Sequence, residues 1–274
     1  MEEPVLYIIA TPLGNRNDIT LRALEMLKTL PVFFAEDSRE CSKLLQLYDI
    51  SLVGKEIHSY AKHNMKVATD KALRILKDGQ SIGFVSDRGT PAISDPGTLL
   101  VKETRALGIS VIPIPGPSSV TTALSVSGFS GDRFVFLGFL PDSNKERAEL
   151  WADAARVGET ICFFESPKRV RQTAQELKEI FPTGTLFFAR EMTKLYESYH
   201  DVLAGELDVQ SLVEKGEYVV AIRLPAKPPQ GIPWEIEVEN RLLADKAWAK
   251  IVAERCGVSA STIYNELQRR KNRT

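Results

Sequence analysis

Residues 81–97 read SIGFVSDRGTPAISDPG, and this stretch decides the fold. Residues 81–85 form a continuous apolar or β-branched run, as expected for a strand covered on both faces. Residues 86–97 hold two Asp, two Gly, two Pro, two Ser and one Thr, a mixture that suits a rigid loop and neither a helix nor a strand. Gly89 and Gly97 let the backbone approach a ligand, Pro91 and Pro96 stiffen it, and its free amides and carbonyls can read an adenosine or an amino-acid group. A helical pattern follows over 97–107 and stops at Gly108, which completes a strand–cradle–helix unit.

Outward from this unit the same alternation recurs. Apolar runs at 5–10, 32–35 and 111–114 predict further strands. Residues 20–30 place Leu21, Leu24, Leu27 and Leu30 on one helical side, and the pattern at 65–77 ends at Gly79. The expectation is a mainly parallel α/β sheet with right-handed crossovers, its ligand beyond the carboxyl ends of the strands. Those ends carry Thr11-Pro12-Leu13-Gly14-Asn15, Glu36-Asp37-Ser38-Arg39, residues 86–91 and Pro115-Gly116-Pro117-Ser118-Ser119, all meeting at one sheet edge. Pro113, Pro115 and Pro117 break the pattern, so residues 1–117 read as an N-terminal α/β domain. Residues 118–225 read as a second α/β domain, with strand-like runs at 134–137, 160–164, 185–189 and 218–224 and helical patterns at 145–157, 168–181 and 209–214. A Pro-rich polar linker spans 226–240, and 241–274 reads as a short helix-turn-helix-like tail. In it, helices at 241–255 and 262–270 flank a turn at Gly257. Thr262, Tyr264 and Asn265 sit where a DNA-reading helix makes contacts, while Val258, Ile263 and Leu267 equally suit the core of a docked helical pair.

Composition removes other classes. The 274 residues are 43% apolar, enough for a large core, and 17 Gly with 15 Pro are too few for a collagen-like or disordered chain. No apolar run approaches the roughly 18 residues of a membrane span. Met1-Glu2-Glu3-Pro4 lacks the basic start of an export signal, so a cytoplasmic protein with no membrane partner is expected. Cys41, Cys162 and Cys256 have no CxxC spacing, and His58, His63 and His200 show no ligand spacing with them; buried thiols and metal-free chemistry are expected. Net charge is −1, but 241–274 carries eight Lys or Arg against Asp245, Glu254 and Glu266, a balance of +5 that leaves −6 elsewhere. Such a basic tail suits a nucleic-acid contact or a solvated helical face. There is no GxGxxG after the first run, no GxxxxGK[ST] and no GxSxG, which argues against a dinucleotide site, a P-loop and a hydrolase elbow.

Eight ordered motifs carry a family resemblance over nearly the whole length. They are Ala10-Thr11-Pro12-Leu13-Gly14-Asn15, Glu36-Asp37-Ser38-Arg39, residues 86–97, Pro115-Gly116-Pro117-Ser118, Gly138-Phe139-Leu140-Pro141, Glu165-Ser166-Pro167, Arg190-Glu191-Met192-Thr193-Lys194 and Gly216-Glu217-Tyr218-Val219. In them the sequence resembles the tetrapyrrole-methylase superfamily, and within it the branch that methylates small-subunit ribosomal RNA. The resemblance implies a two-domain methyltransferase using S-adenosylmethionine, usually a homodimer, with the cofactor in a cleft between the domains. It implies 2'-O-methylation of a cytidine in the decoding region of that RNA, as naked RNA or in the small ribosomal subunit. Carried over by motif, Pro12, Thr90, Pro91, Ile93, Ser118, Ser119, Glu165, Ala189, Gly216 and Glu217 would line the cofactor pocket. Four positions depart from the family pattern: Arg88 replaces a small residue, Lys168 a common His, Ser119 a frequent Ala and Ser38 a Thr. Arg88 would either hold phosphate in the cleft or fold outward onto an acidic partner such as Asp87 or Asp95.

A ribose hydroxyl is a poor nucleophile, so a group that takes its proton should help. Asp37, Asp87, Glu165 and Lys194 are the candidates, each with an ion pair to Arg39, Arg88 or Arg190 as the alternative role for the acids. RNA contact would fall to Arg39, Arg88, Lys168, Arg169, Lys194 and the basic tail. A small-molecule methylase acting on tetrapyrroles, or a nucleic-acid-binding regulator without catalysis, would use part of the same features. The regulator leaves the cradle without a purpose, and the small-molecule enzyme leaves the tail without one.

Overall fold

The computed structural model describes residues 3–157, 160–224, 246, 249, 250, 253 and 259–271. Residues Met1–Leu224 form one compact unit and Pro225–Thr274 a second. The first unit contains two five-stranded sheets.

The first sheet is wholly parallel, with strands β1 Val5–Ile9, β2 Val32–Ala35, β3 Glu56–Ser59, β4 Ile82–Val85 and β5 Ser110–Ile114 in the order β3-β2-β4-β1-β5. β2 and β4 are buried along their whole length because helices cover both faces. On one face Ile9, Phe33 and Val85 pack against Ala23 and Leu27 of α1 Leu21–Thr29 and Cys41 and Leu45 of α2 Ser38–Leu47. On the other, Leu6, Phe34 and Phe84 pack against Ala68, Ala72 and Leu76 of α3 Met65–Lys77 and Leu100 of α4 Thr98–Ala106. One detail of α1 differs from expectation: Leu21 is 86% exposed, and Ala23 takes the buried place, because Thr20 caps the helix by accepting from Ala23 N and sets its rotation. β1 lies between β4 and β5, so its connection leaves toward β2 while that of β4 leaves toward β5. The crevice where these directions part lies at the carboxyl ends of β1 and β4.

The second sheet is mixed, with β6 Phe134–Phe139, β7 Thr160–Glu165, β8 Thr185–Arg190, β9 Ser198–Leu203 and β10 Tyr218–Arg223 in the order β6-β7-β10-β8-β9. Only β6 and β7 run parallel. Helix α5 Ser119–Ser127 puts Val120, Ala123 and Leu124 onto Phe187, Ala189 and Val219 of this sheet. The opposite face packs on α6 Asn144–Val157 and α7 Val170–Ile180 through Trp151, Ala174 and Leu177. The helix expected at 209–214 is a single 3-10 turn, Val209–Ser211.

In the second unit, α8 Ala260–Lys271 starts at Ser259, whose hydroxyl oxygen accepts from Thr262 N at 3.1 Å, and Ile263 is buried. The linker 226–240, most of the helix expected at 241–255, and Cys256, Gly257 and Val258 lie outside the described residues. Among the described residues no helix is long and apolar enough to cross a membrane, and no cluster of three His, Cys, Asp or Glu can hold a metal. Cys41 and Cys162 are buried free thiols, both pushed up to about 12 by burial, which makes them inert at neutral pH.

Candidate active site

The carboxyl edge of the first sheet is knitted together by its own loops. Thr11 and Gly89 exchange backbone hydrogen bonds, Thr11 N to Gly89 O at 2.9 Å and Gly89 N to Thr11 O at 3.1 Å. The buried Thr11 hydroxyl donates to Ser86 O at 3.3 Å, and the Thr90 hydroxyl donates to Pro117 O at 3.0 Å. Asp37 caps α2 by accepting from Arg39 N at 2.8 Å, and Asp37 N donates to Asp87 Oδ1 at 3.2 Å. The loops after β1, β2, β4 and β5 are thus one hydrogen-bonded assembly. Within it Ala92 and Ser94 hold left-handed φ of 67° and 62°, strain that a rigid surrounding structure must maintain.

This edge faces the second sheet across a cleft of about 520 Å³, inside the range of small-molecule sites of about 300–1,000 Å³. Leu13, Ile93, Val120, Phe164, Met192 and Val219 give it an apolar part. Glu36, Asp87 and Asp95 give it an acidic part. Burial, followed by the neighbouring Asp87, pushes the Asp95 carboxyl up to about 6. Glu36 is raised by burial and then by Asp95 and Asp87, and Asp87 is raised by burial against the opposing hydrogen bond from Asp37 N. Three carboxyls crowded in one recess therefore resist ionisation together, with Lys62 the cation that opposes the rise at Glu36 and Asp95.

An ionic chain joins the two sheets at this cleft. Arg88, from the cradle, pairs with Glu217, which precedes β10. The other Glu217 oxygen accepts from Lys194 Nζ at 2.8 Å, and Lys194 also pairs with Glu191 at 2.8 Å. Asn15 N donates to the Thr193 hydroxyl at 3.1 Å. A Cβ at Gly14 would overlap Lys194 Cγ, so glycine lets the β1 loop pass under that lysine as it is placed.

The residues singled out in the sequence fall into two groups. Asp87, Arg88, Thr90, Ile93, Ser118, Ser119, Glu165 and Glu217 line the cleft; Pro12, Pro91, Ala189, Gly216, Asp37, Arg39, Lys168, Arg169 and Lys194 do not. Arg88 pairs with an acidic side chain, the structural one of its two expected roles, but the partner is Glu217 of the facing sheet and not Asp87 or Asp95. Asp37 is held down to about 2 by the Arg39 side chain, the ion-pair role rather than that of a base. Glu165 is buried and accepts from the Thr173 hydroxyl at 2.5 Å and Ser166 N at 2.7 Å, with Arg169 Nε at 3.4 Å. Arg169 also pairs with Asp142 and donates to Leu140 O and Pro141 O, which fixes the loop after β6. Lys168 is exposed. Glu36, Asp95, Phe139 and Met192 also line the cleft; each stands inside one of the ordered motifs, but only convergence in space marks them as site residues.

The recess fits S-adenosylmethionine chemically: free loop backbone for an adenosine or amino acid, apolar surface for the ring, and carboxylates for a cationic sulfonium and amine. Comparison with known proteins agrees. Residues 5–208 match the model of the Tetrapyrrole (Corrin/Porphyrin) Methylases family. A Neisseria meningitidis serogroup A protein named ribosomal RNA small subunit methyltransferase I is 36% identical over 270 residues, 95% of this chain and 91% of that protein. The protein of the same name from Thermotoga maritima is 43% identical over 194 residues, 71% of this chain and 86% of its own length. The fold is that of uroporphyrin-III C-methyltransferase from Thermus thermophilus, solved in complex with S-adenosylhomocysteine, with a TM-score of 0.57, 18% identity, and 80% of this chain and 97% of that one covered.

Proposed function

The chain belongs to the tetrapyrrole methylase family and uses S-adenosylmethionine, and on that premise we propose that it methylates the 2'-hydroxyl of a cytidine in the decoding region of small-subunit ribosomal RNA. The observation that carries this reading is the convergence of four post-strand loops and the Glu217 turn on one acidic and apolar cleft.

Bound in the cleft, S-adenosylmethionine supplies a methyl group on an electrophilic sulfonium. The chain's own residues do the rest. Thr90, Ile93, Ser118 and Ser119 line the wall that would hold the cofactor, and the Thr90–Pro117 hydrogen bond keeps that wall fixed before binding. Of the carboxyls in the recess, we assign acceptance of the ribose proton to Asp95 with Asp87 beside it, since Asp37 and Glu165 are spent on internal partners. A carboxyl near 6 is a stronger base than an ordinary aspartate yet still ionised at neutral pH. Arg88 and Lys194 support Glu217 and thereby hold the two sheets at a set separation.

The proposal includes a domain boundary at 117/118, supported by the packing of α5 on the second sheet. It also includes a homodimer: Leu195, Tyr196, Tyr199 and Leu203 are exposed on and just before the edge strand β9, a patch that pairing of two copies would cover. Sedimentation reads that state directly. For the reaction, the protein is incubated with labelled S-adenosylmethionine and either small ribosomal subunits lacking 2'-O marks or free tetrapyrroles. Label in the RNA with alkaline cleavage blocked beside one cytidine is the expected result. Label confined to tetrapyrrole, or on a base with cleavage unaltered, overturns it.

A further inference from the structure

Phe139, the last residue of β6, is an aromatic ring whose place neither core packing nor the cofactor wall explains. It is 63% exposed although it lines the cleft. Its ring lies 5.3 Å from that of Phe164 at 61°, and Phe164 in turn meets Phe136 at 5.0 Å and 69°, so a buttress of edge contacts fixes the orientation of a ring that stays largely open to solvent. The backbone beneath is also fixed. Gly138 holds a φ of 65°, and a Cβ there would come within 2.8 Å of Ser94 Oγ, so the backbone just before Phe139 passes close against the cradle of the facing sheet. Just beyond, Arg169 clamps Leu140 O and Pro141 O at 3.1 and 3.0 Å.

The cleft's charge shows why such a ring is needed. Its lining carries Glu36, Glu40, Asp87, Asp95, Glu165 and Glu217 against one cation among the described residues, Arg88, and that cation is committed to Glu217. Glu40, Glu165 and Glu217 are paired with Lys43, Arg169 and Lys194, so what remains is an acidic recess that offers a polyanionic strand little ionic attraction. A π-face supplies attraction that does not depend on phosphate, and it is a device by which single-stranded bases are gripped.

We propose that Phe139 is the platform on which the base of the target nucleotide stacks, seating its ribose at the mouth of the cleft while the phosphates stay outside. This rests on the RNA-methylating function above. Because a phenyl ring offers no hydrogen bond, it sets affinity for an unpaired nucleotide and leaves the choice of base to other groups.

The test compares wild type with Phe139→Ala, Phe139→Leu and Phe139→Tyr, all as full chains, on small ribosomal subunits. Stacking predicts that F139A and F139L each lose kcat/KM for RNA by about 5- to 150-fold, while F139Y stays within about twofold of wild type. Titration with S-adenosylmethionine should give the same Kd for all four, and thermal unfolding should coincide because the ring is exposed. F139L equal to wild type would reduce the role to apolar packing and overturn the proposal, as would parallel loss of cofactor affinity in F139A. Wild type that binds S-adenosylmethionine but leaves RNA unlabelled overturns the proposed function itself, and this inference with it. That result is distinct, because it is seen before any variant is made.

Discussion

Single side chains here are set by how their charge is surrounded. Asp95 sits in the recess with Glu36 and Asp87, and its carboxyl is raised from 3.8 to about 6, first by burial and then by Asp87. The folded state holds that proton more tightly than the unfolded chain does. The stability it contributes is therefore complete below about pH 4 and is lost as pH rises through about 6. Asp95→Asn, which cannot ionise, is expected to be more stable than wild type at pH 7.5 by about 1 kcal/mol after allowance for solvent screening, and equal to it near pH 4, read from urea unfolding at both values. The same substitution removes the assigned proton acceptor and should lower kcat about 10²-fold, measured at saturating S-adenosylmethionine. A contrasting case lies under α6. Arg147 is 1% exposed and pairs with Glu176, which also accepts from Trp151 Nε1 at 2.8 Å. Glu176→Ala strands a buried guanidinium and an indole donor and should cost about 3 kcal/mol, seen as a lower urea midpoint at unchanged slope; Glu176→Gln should cost less.

At the scale of elements, Gly138 joins a strand to the cradle. Its positive φ and the 2.8 Å approach to Ser94 mean that Gly138→Ala strains the strand end or displaces Ser94. A loss of about 1–2 kcal/mol in stability is expected, together with weaker S-adenosylmethionine binding by calorimetry, because Ser94 belongs to the cradle whose strained backbone the contact helps hold. How far such elements could be read from the chain depended on their burial. β2 and β4 are covered on both faces and announce themselves as VFFA and IGFV. β3, EIHS, and β9, SYHDVL, are edge strands with largely wet faces, so their polar residues hide the strand period and neither was expected. α5, SVTTALSVS, escaped for another reason: its Ser, Thr and Val are poor helix formers, and packing on the second sheet decides its structure. In the site, loop residues following β4 and β5 could be placed from strand order alone. The pairing of Arg88 with Glu217, and the gathering of Glu36 with Asp95, depend on how two sheets face each other, which no local pattern encodes.

The whole molecule falls into two units, Met1–Leu224 and Pro225–Thr274, and the second carries the basic stretch 241–274. Among the described residues, every one that lines the cleft lies within Met1–Leu224, and that unit holds its own buried cores on both faces of both sheets. The family match, 5–208, ends inside it. The Thermotoga maritima relative points the same way: 194 matched residues are 71% of this chain but 86% of that protein, so the relative is the shorter of the two. The tail adds +5 to a remainder of −6, on a molecule whose cleft lining is mainly acidic among its charged residues. Cofactor binding and RNA capture should therefore separate on truncation. A chain ending at Leu224 is expected to bind S-adenosylmethionine with an unchanged Kd, and its affinity for small-subunit RNA should fall most at low salt. The slope of log affinity against log salt should flatten, since fewer counterions are released when nine cationic side chains, Lys227 and the eight of the tail, are missing. Filter binding of both chains across a salt series measures this. Identical slopes would mean that the tail's charges face solvent and that the catalytic unit captures RNA alone.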